Sequence, residues 1–146
     1  MADIQRSADA VWQGDLRNGT GSVSAPSGVF KDAAYSFVTR FEDSPGTNPE
    51  ELIAAAHAAC FTMAFSGVLS RKGYDPERLS THAVLTMAKQ EVGFTITKMR
   101  LEVEGQVANL DQATFQQLAD EAEKGCPVSR LLRPGLEAVE VVATLK

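Results

Sequence analysis

The chain is poor in cysteine: Cys60 and Cys126 are its only two in 146 residues, and no CxxC pair occurs. The two histidines, His57 and His82, complete no four-ligand spacing with them, so a zinc finger or ribbon is not indicated. Basic clusters are missing too. With a formal net charge of -5 and no Lys/Arg run, the sequence lacks the positive patch that a phosphate backbone demands, which argues against nucleic acid as a partner. No glycine-rich loop follows a strand, and neither GxGxxG nor a Walker motif is present, so nucleotide cofactors are not indicated. The opening MADIQRSADAV has neither the basic start nor the apolar core of a signal peptide, so a cytoplasmic location is expected. Thiols there are kept reduced, which disfavours a permanent disulfide. Repeats, linkers and low-complexity segments are absent, and at 44% hydrophobic the chain 1–146 is expected to form a single domain around a real core.

What is present reads as strands, then a long helix, then strands, helix and strand. In the first forty residues, RNGTGSV and APSGV supply turns between two or three antiparallel strands, and AYSFVTRF reads as the last of them. Asn48, Pro49 and Glu51 then fit the N-cap, first helical position and capping-box position of a helix running to about Lys72 and ending at Gly73. From Leu52 to Ser70 that helix is apolar nearly all round, which predicts a central helix buried on most of its surface. A membrane span is the rival reading. Six alanines in these 19 residues, together with His57, Thr62, Ser66 and Gly67, argue against it.

THAVLTMAK and FTITKMRLEVEGQV, joined by QEVG, read as a β-hairpin whose alternation slips near Thr97 and Lys98, predicting a bulge. Asp111 should cap a second helix with Phe115, Leu118, Ala119 and Ala122 on its apolar stripe, ending at Gly125. Cys126 and Pro127 restart a helical turn, and LEAVEVVATL closes the chain as a strand. The order of elements is that of an α+β fold.

Inert core residues, a structural disulfide, metal ligands and a working redox pair are all open roles for the two cysteines. Cys60, in an alanine-rich helix, reads as a small apolar residue. Cys126 stands before a proline at a helix start, where backbone N–H groups and the helix dipole favour a thiolate, and Arg130 adds positive charge. The residues alone thus point to Cys126 as the more reactive thiol. They do not tell whether the two sulfurs meet.

TRFEDSPGTNPEELIAAAHAACFTMAFS together with AEKGCPVSRLL closely resembles the OsmC and organic hydroperoxide resistance family, over essentially the whole chain. The most specific parts are the GTNPEEL entry to the helix, the HAAC helix centre and the GCPVS turn. The resemblance implies an OsmC-like fold, a central helix wrapped by curved antiparallel sheet, in an intertwined homodimer. It implies a cysteine-based peroxidase that reduces organic hydroperoxides without haem, metal or flavin, in peroxide or osmotic stress defence. Cys60 would be the peroxidatic residue and Cys126 the resolving one, their disulfide being reduced by an external dithiol or a lipoylated protein. Because an apolar helix raises a thiol's pKa, a cation is needed. The family's arginine matches Arg40, expected on the strand before the central helix, with Arg17 of DLRNG as the rival.

Glu50 matches the family's carboxylate partner for that arginine, while Glu51 has the capping role. Ten residues of helix span roughly 15 Å and turn the side chains about 80° apart, so Glu50 cannot sit against Cys60 of its own chain. It is expected to serve the site from the partner subunit, across a dimer interface. His57 is expected to hydrogen-bond in the core, with the edge of a substrate pocket as the alternative. Phe61, Met63, Phe65 and Met87 are expected mainly in the core, with a few at an apolar pocket mouth.

Overall fold

Asp15 shows how local chemistry starts the fold: its carboxylate accepts from the Arg17 and Asn18 N–H groups at 3.0 and 2.9 Å, closing the turn after the first strand. The computed structural model describes Met1–Lys146 and divides the chain into two compact units, Met1–Leu52 and Ile53–Lys146. In the first unit, β1 (Asp9–Gln13), β2 (Thr20–Ser24) and β3 (Ala33–Tyr35) form an antiparallel sheet in that order. Trp12 and Tyr35 pack with centroids 5.5 Å apart over Gly21, where a Cβ would run into both rings.

The third strand is shorter than AYSFVTRF suggested. After Tyr35 the chain turns into α1 (Phe37–Phe41), so Arg40 lies in a short helix and not on a strand. The cause is a reciprocal cap: Ser36 Oγ accepts from the Thr39 N–H at 3.3 Å, and Thr39 Oγ1 accepts from the Ser36 N–H at 2.8 Å. Two satisfied donors outweigh the β-preference of the aromatic and β-branched residues there.

Helix α2 (Pro49–Arg71) gives its first four residues to this unit and the rest to the second. Asn48 caps it as expected, its Oδ1 accepting from the Glu51 N–H at 2.7 Å. The Glu51 carboxylate does not complete the box; it accepts from the Thr47 hydroxyl at 2.6 Å. At the other end Gly73, at φ +84°, lets its own N–H bond Ser70 O and the Tyr74 N–H bond Leu69 O, at 3.1 and 3.0 Å.

The second unit holds a mixed sheet. β4 (Pro76–Gln90) and β5 (Gly93–Val107) form the expected hairpin, and the register slips as predicted: Thr86 faces Lys98 while Met87 faces Ile96, leaving Thr97 as the extra residue. β6 (Ala138–Leu145) joins β5 in parallel, which corrects the expectation of a purely antiparallel sheet. The crossover through α3 (Gln112–Gly125) and α4 (Pro127–Leu132) carries the chain back to the end of the sheet where β5 began. Asp111 caps α3, accepting from the Thr114 N–H at 2.9 Å, and Gly125 ends it without a left-handed φ.

β6 is an edge strand, and α3 covers its free edge with side-chain amides. Gln116 accepts from the Ala143 N–H at 2.8 Å and donates to Val141 O at 3.0 Å, and Gln112 treats Leu145 and Ala143 in the same way, at 2.7 Å each. The core beneath is built from Phe61, Phe65 and Leu69 of α2, Met99, Leu101 and Val103 of β5, and Phe115 of α3. Phe65 and Phe115 stack at 4.9 Å.

Helix α2 is not buried on most of its surface in this chain. Phe61, Phe65 and Leu69 are fully covered, but Ala55, Ala56 and Ala59 are exposed and Met63 is 80% exposed. Although long and apolar enough to cross a membrane, the helix carries a core-packed face and a bare apolar one.

Candidate active site

Cys60 stands on α2 one residue before Phe61, on the border between the core face and the bare face, and is half-buried. Cys126 caps α4 with Pro127 at its first position and is fully buried. Its N–H is held by Ala122 O at 2.9 Å, while its own carbonyl receives the Arg130 N–H at 3.0 Å, so the turn between α3 and α4 is fixed on both sides. The fold brings the two cysteines together, and both are free thiols. Burial pushes the Cys60 thiol up from its ordinary value, the hydrogen-bonded and chargeable Cys126 thiol beside it adds to the rise, and the Val128 N–H, donating to the Cys60 sulfur, opposes it.

Solvent access runs opposite to the ranking drawn from the residues. Cys126 has the helix-start position but no solvent access, whereas Cys60 opens onto a groove of about 540 Å³ between α2 and α3. Met63, Ala64, Gly67 and Val68 line its apolar wall, Pro127 closes one side, and Arg71 and Glu121 stand at its margin. Phe61 and Phe65 are core, as expected, and Met63 is the member of that set that faces the groove.

Arg40 and Glu50 form a two-point ion pair within one chain and within the first unit. Arg40 Nε donates at 3.0 Å and Nη2 at 2.7 Å to Glu50 Oε1. The Glu50 residue is 8% exposed, and the Arg40 guanidinium also lies over the Phe41 ring at 5.2 Å. Arg17 sits elsewhere in the unit, its guanidinium 5.0 Å from the Phe37 ring centroid, so Arg40 is the arginine that holds Glu50. Arg40 lines a second cavity, of about 250 Å³, with Trp12, Tyr35 and Phe37.

His57 is a core residue. Its Nε2 lies 2.6 Å from Ser129 Oγ, both residues have no exposed surface, and Nδ1 has no partner. Burial holds the imidazole below its ordinary pKa, with Arg133 acting in the same direction and Glu123 against it. Those two residues are themselves paired at 2.7 Å. Ser129 and the Val128 amide are the parts of the site that sequence reasoning did not single out. Their only local signal was their place in GCPVS, directly after Cys126.

Two thiols in contact, one open to a groove and the other buried, thus sit on an α+β scaffold. The family model for OsmC-like protein matches residues 41–140, and the chain belongs to that family. It is 46% identical over 130 residues to peroxiredoxin OsmC of Escherichia coli (strain K12), covering 89% of this chain and 91% of that protein. It is also 33% identical over 100 residues to the organic hydroperoxide resistance protein of Xanthomonas axonopodis pv. citri, covering 67% of this chain and 68% of that one. Among solved structures, the organic hydroperoxide resistance protein OhrB of Bacillus subtilis aligns with a TM-score of 0.68 at 27% identity, over 96% of this chain and 98% of the other.

Proposed function

We propose that this protein is a thiol peroxidase that reduces organic hydroperoxides through Cys60 and Cys126. The observation that carries the reading is the pairing of a groove-facing Cys60 with a buried, reduced Cys126. The Cys60 thiolate attacks the terminal peroxide oxygen, the O–O bond breaks, and the alcohol leaves with a proton while Cys60 becomes a sulfenic acid. The Cys126 sulfur then attacks the Cys60 sulfur, the S–O bond breaks, and water departs with the Cys126 proton. An external dithiol, free or carried on a lipoylated protein, reduces the disulfide by exchange and is itself oxidised.

The raised thiol of Cys60 sets what the rest of the site must supply. The Val128 N–H stabilises the thiolate directly, and the positive charge that must offset burial is assigned in this reading to Arg40. Because Arg40 and Glu50 are clamped to each other, they reach a site together. In this reading the protein is an intertwined homodimer, and the pair of one subunit serves Cys60 of the other. The bare stripe of Ala56, Ala59 and Met63 on α2 supports a second copy as its cover.

The test is consumption of cumene hydroperoxide with excess dithiol by wild type, Cys60→Ser and Cys126→Ser, with intact mass recorded after peroxide alone. Turnover abolished by Cys60→Ser, with disulfide formation in wild type, is the expected result; thiols that stay unreacted in folded protein would overturn the reading. Mixing Cys60→Ser with Arg40→Ala chains tests the shared site. Activity regained in mixed dimers supports it, and none regained refutes it.

A further inference from the structure

We propose that His57 and Ser129 form a buried latch that positions Cys126 for closure onto Cys60; this rests on the dithiol reading above. His57 precedes Cys60 by three residues on α2, and Ser129 follows Cys126 by three at the start of α4. Their 2.6 Å hydrogen bond ties the two cysteine-bearing segments together three residues along the chain from each cysteine. Neither residue has any exposed surface, so water cannot replace the bond if it breaks. Packing alone does not explain an imidazole here. Its Nδ1 is buried without a partner, which costs stability that an apolar side chain of similar size would not lose.

The ties are arranged in sequence along the turn. The Cys126 thiol meets the Cys60 thiol, the Val128 N–H donates to the Cys60 sulfur, and Ser129 Oγ bonds His57. A disulfide demands Cβ atoms about 3.5–4.5 Å apart and a narrow torsion, so a small swing of the first turn of α4 takes Cys126 out of range. On the other side of the turn, the Glu123–Arg133 pair, with Arg133 also donating to Glu123 O at 3.2 Å, braces the end of α3. His57 and Ser129 are positioning residues: neither touches the peroxide. The step they serve is attack of the Cys126 sulfur on the Cys60 sulfenic acid with loss of water. That step must outrun a second peroxide, which would carry Cys60 on to sulfinic acid.

The test separates the two steps in the full-length protein. Ser129→Ala, Ser129→Thr, His57→Leu and His57→Gln are mixed with cumene hydroperoxide, quenched at intervals and resolved by intact mass into dithiol, sulfenic acid, disulfide and sulfinic acid. In Ser129→Ala and His57→Leu, loss of dithiol should stay within about twofold of wild type while closure slows about tenfold, roughly the loss of one buried hydrogen bond. Sulfinic acid should then accumulate under excess peroxide. Ser129→Thr and His57→Gln, which keep a hydrogen-bonding group, should recover most of the closure rate. Closure at the wild-type rate in folded Ser129→Ala overturns the latch, as does an equal slowing of both steps. If Ser129→Ala does not fold, the contrast between His57→Gln and His57→Leu decides in the same way. Wild type that keeps both thiols under peroxide sinks the dithiol reading itself, an outcome distinct from fast closure in the variants.

Discussion

Acidification should destabilise this protein through His57, and the size of the effect has a ceiling fixed by the structure. The ring has no exposed surface, its Nε2 is committed to Ser129 and its Nδ1 has no hydrogen-bond partner, so the imidazolium would lose solvation and gain no new hydrogen-bond partner in return. Burial is the main reason its folded pKa lies below the ordinary value; Arg133 adds to the depression, and Glu123 opposes it with a charge already shared with Arg133. The unfolded chain therefore binds a proton at His57 near pH 6.5 that the folded chain refuses. Stability from the neutral ring is complete above that pH and is lost as pH falls towards the folded pKa. One proton sets the slope at no more than about 1.4 kcal/mol per pH unit, so the loss between pH 6.5 and 5.0 is at most ~2 kcal/mol.

Urea unfolding of wild type and His57→Gln, at half-unit steps from pH 5.0 to 7.5, isolates this contribution because the carboxylates titrate alike in both. The stability difference between the two should shrink steadily below pH 6.5 in disfavour of wild type. A difference that stays flat would show that the ring accepts a proton in place. One that grows in favour of wild type would show that Glu123 outweighs burial, and either result refutes the reasoning.

Gly105→Ala should cost about 1–3 kcal/mol in urea unfolding, because the Phe115 ring and Leu79 occupy the space of a Cβ; a neutral result would mean that Phe115 moves freely. Gln116→Leu should cost about 1–2 kcal/mol by removing both bonds to the edge of β6, with faster amide exchange at Ala143 as the local sign. Arg40→Lys should lower kcat/KM for cumene hydroperoxide by about tenfold or more, since an ammonium cannot reproduce the two-point grip on Glu50. Cys60 works in the opposite sense to His57. Its raised thiol favours the folded state below the unfolded pKa of about 8.5 and loses that contribution as pH rises through the folded value, so Cys60→Ala should unfold less steeply with alkali.

The features legible in the sequence are those whose hydrogen bonds close within a few residues. Asn48 and Asp111 declare helix starts because each side chain accepts an N–H three residues on, and Gly73 declares a helix end because it takes a left-handed φ at little cost. The slip at Thr97 showed as a break in a period of two. Arg40 was misplaced where two local signals compete: the alternation in AYSFVTRF suggests a strand, but the Ser36–Thr39 cap makes a helix. Cys126 carries a local signature, its place at a helix start before Pro127, whereas the roles proposed for Cys60, Arg40 and Glu50 rest on resemblance.

Tertiary structure decided the rest, because it turns on contacts between residues far apart in the chain. The parallel pairing of β6 follows from the path of the α3–α4 crossover, which no window of β6 encodes. Both faces of α2 are apolar, the covered one with Phe61, Phe65 and Leu69 and the bare one with alanines and Met63, so the packing of the sheet and α3 determines that Phe61 is sealed and Met63 is not. Cys60 and Cys126 are 66 residues apart, and which sulfur faces the groove and which lies behind it depends on how the start of α4 docks on α2. The His57–Ser129 hydrogen bond is part of that docking.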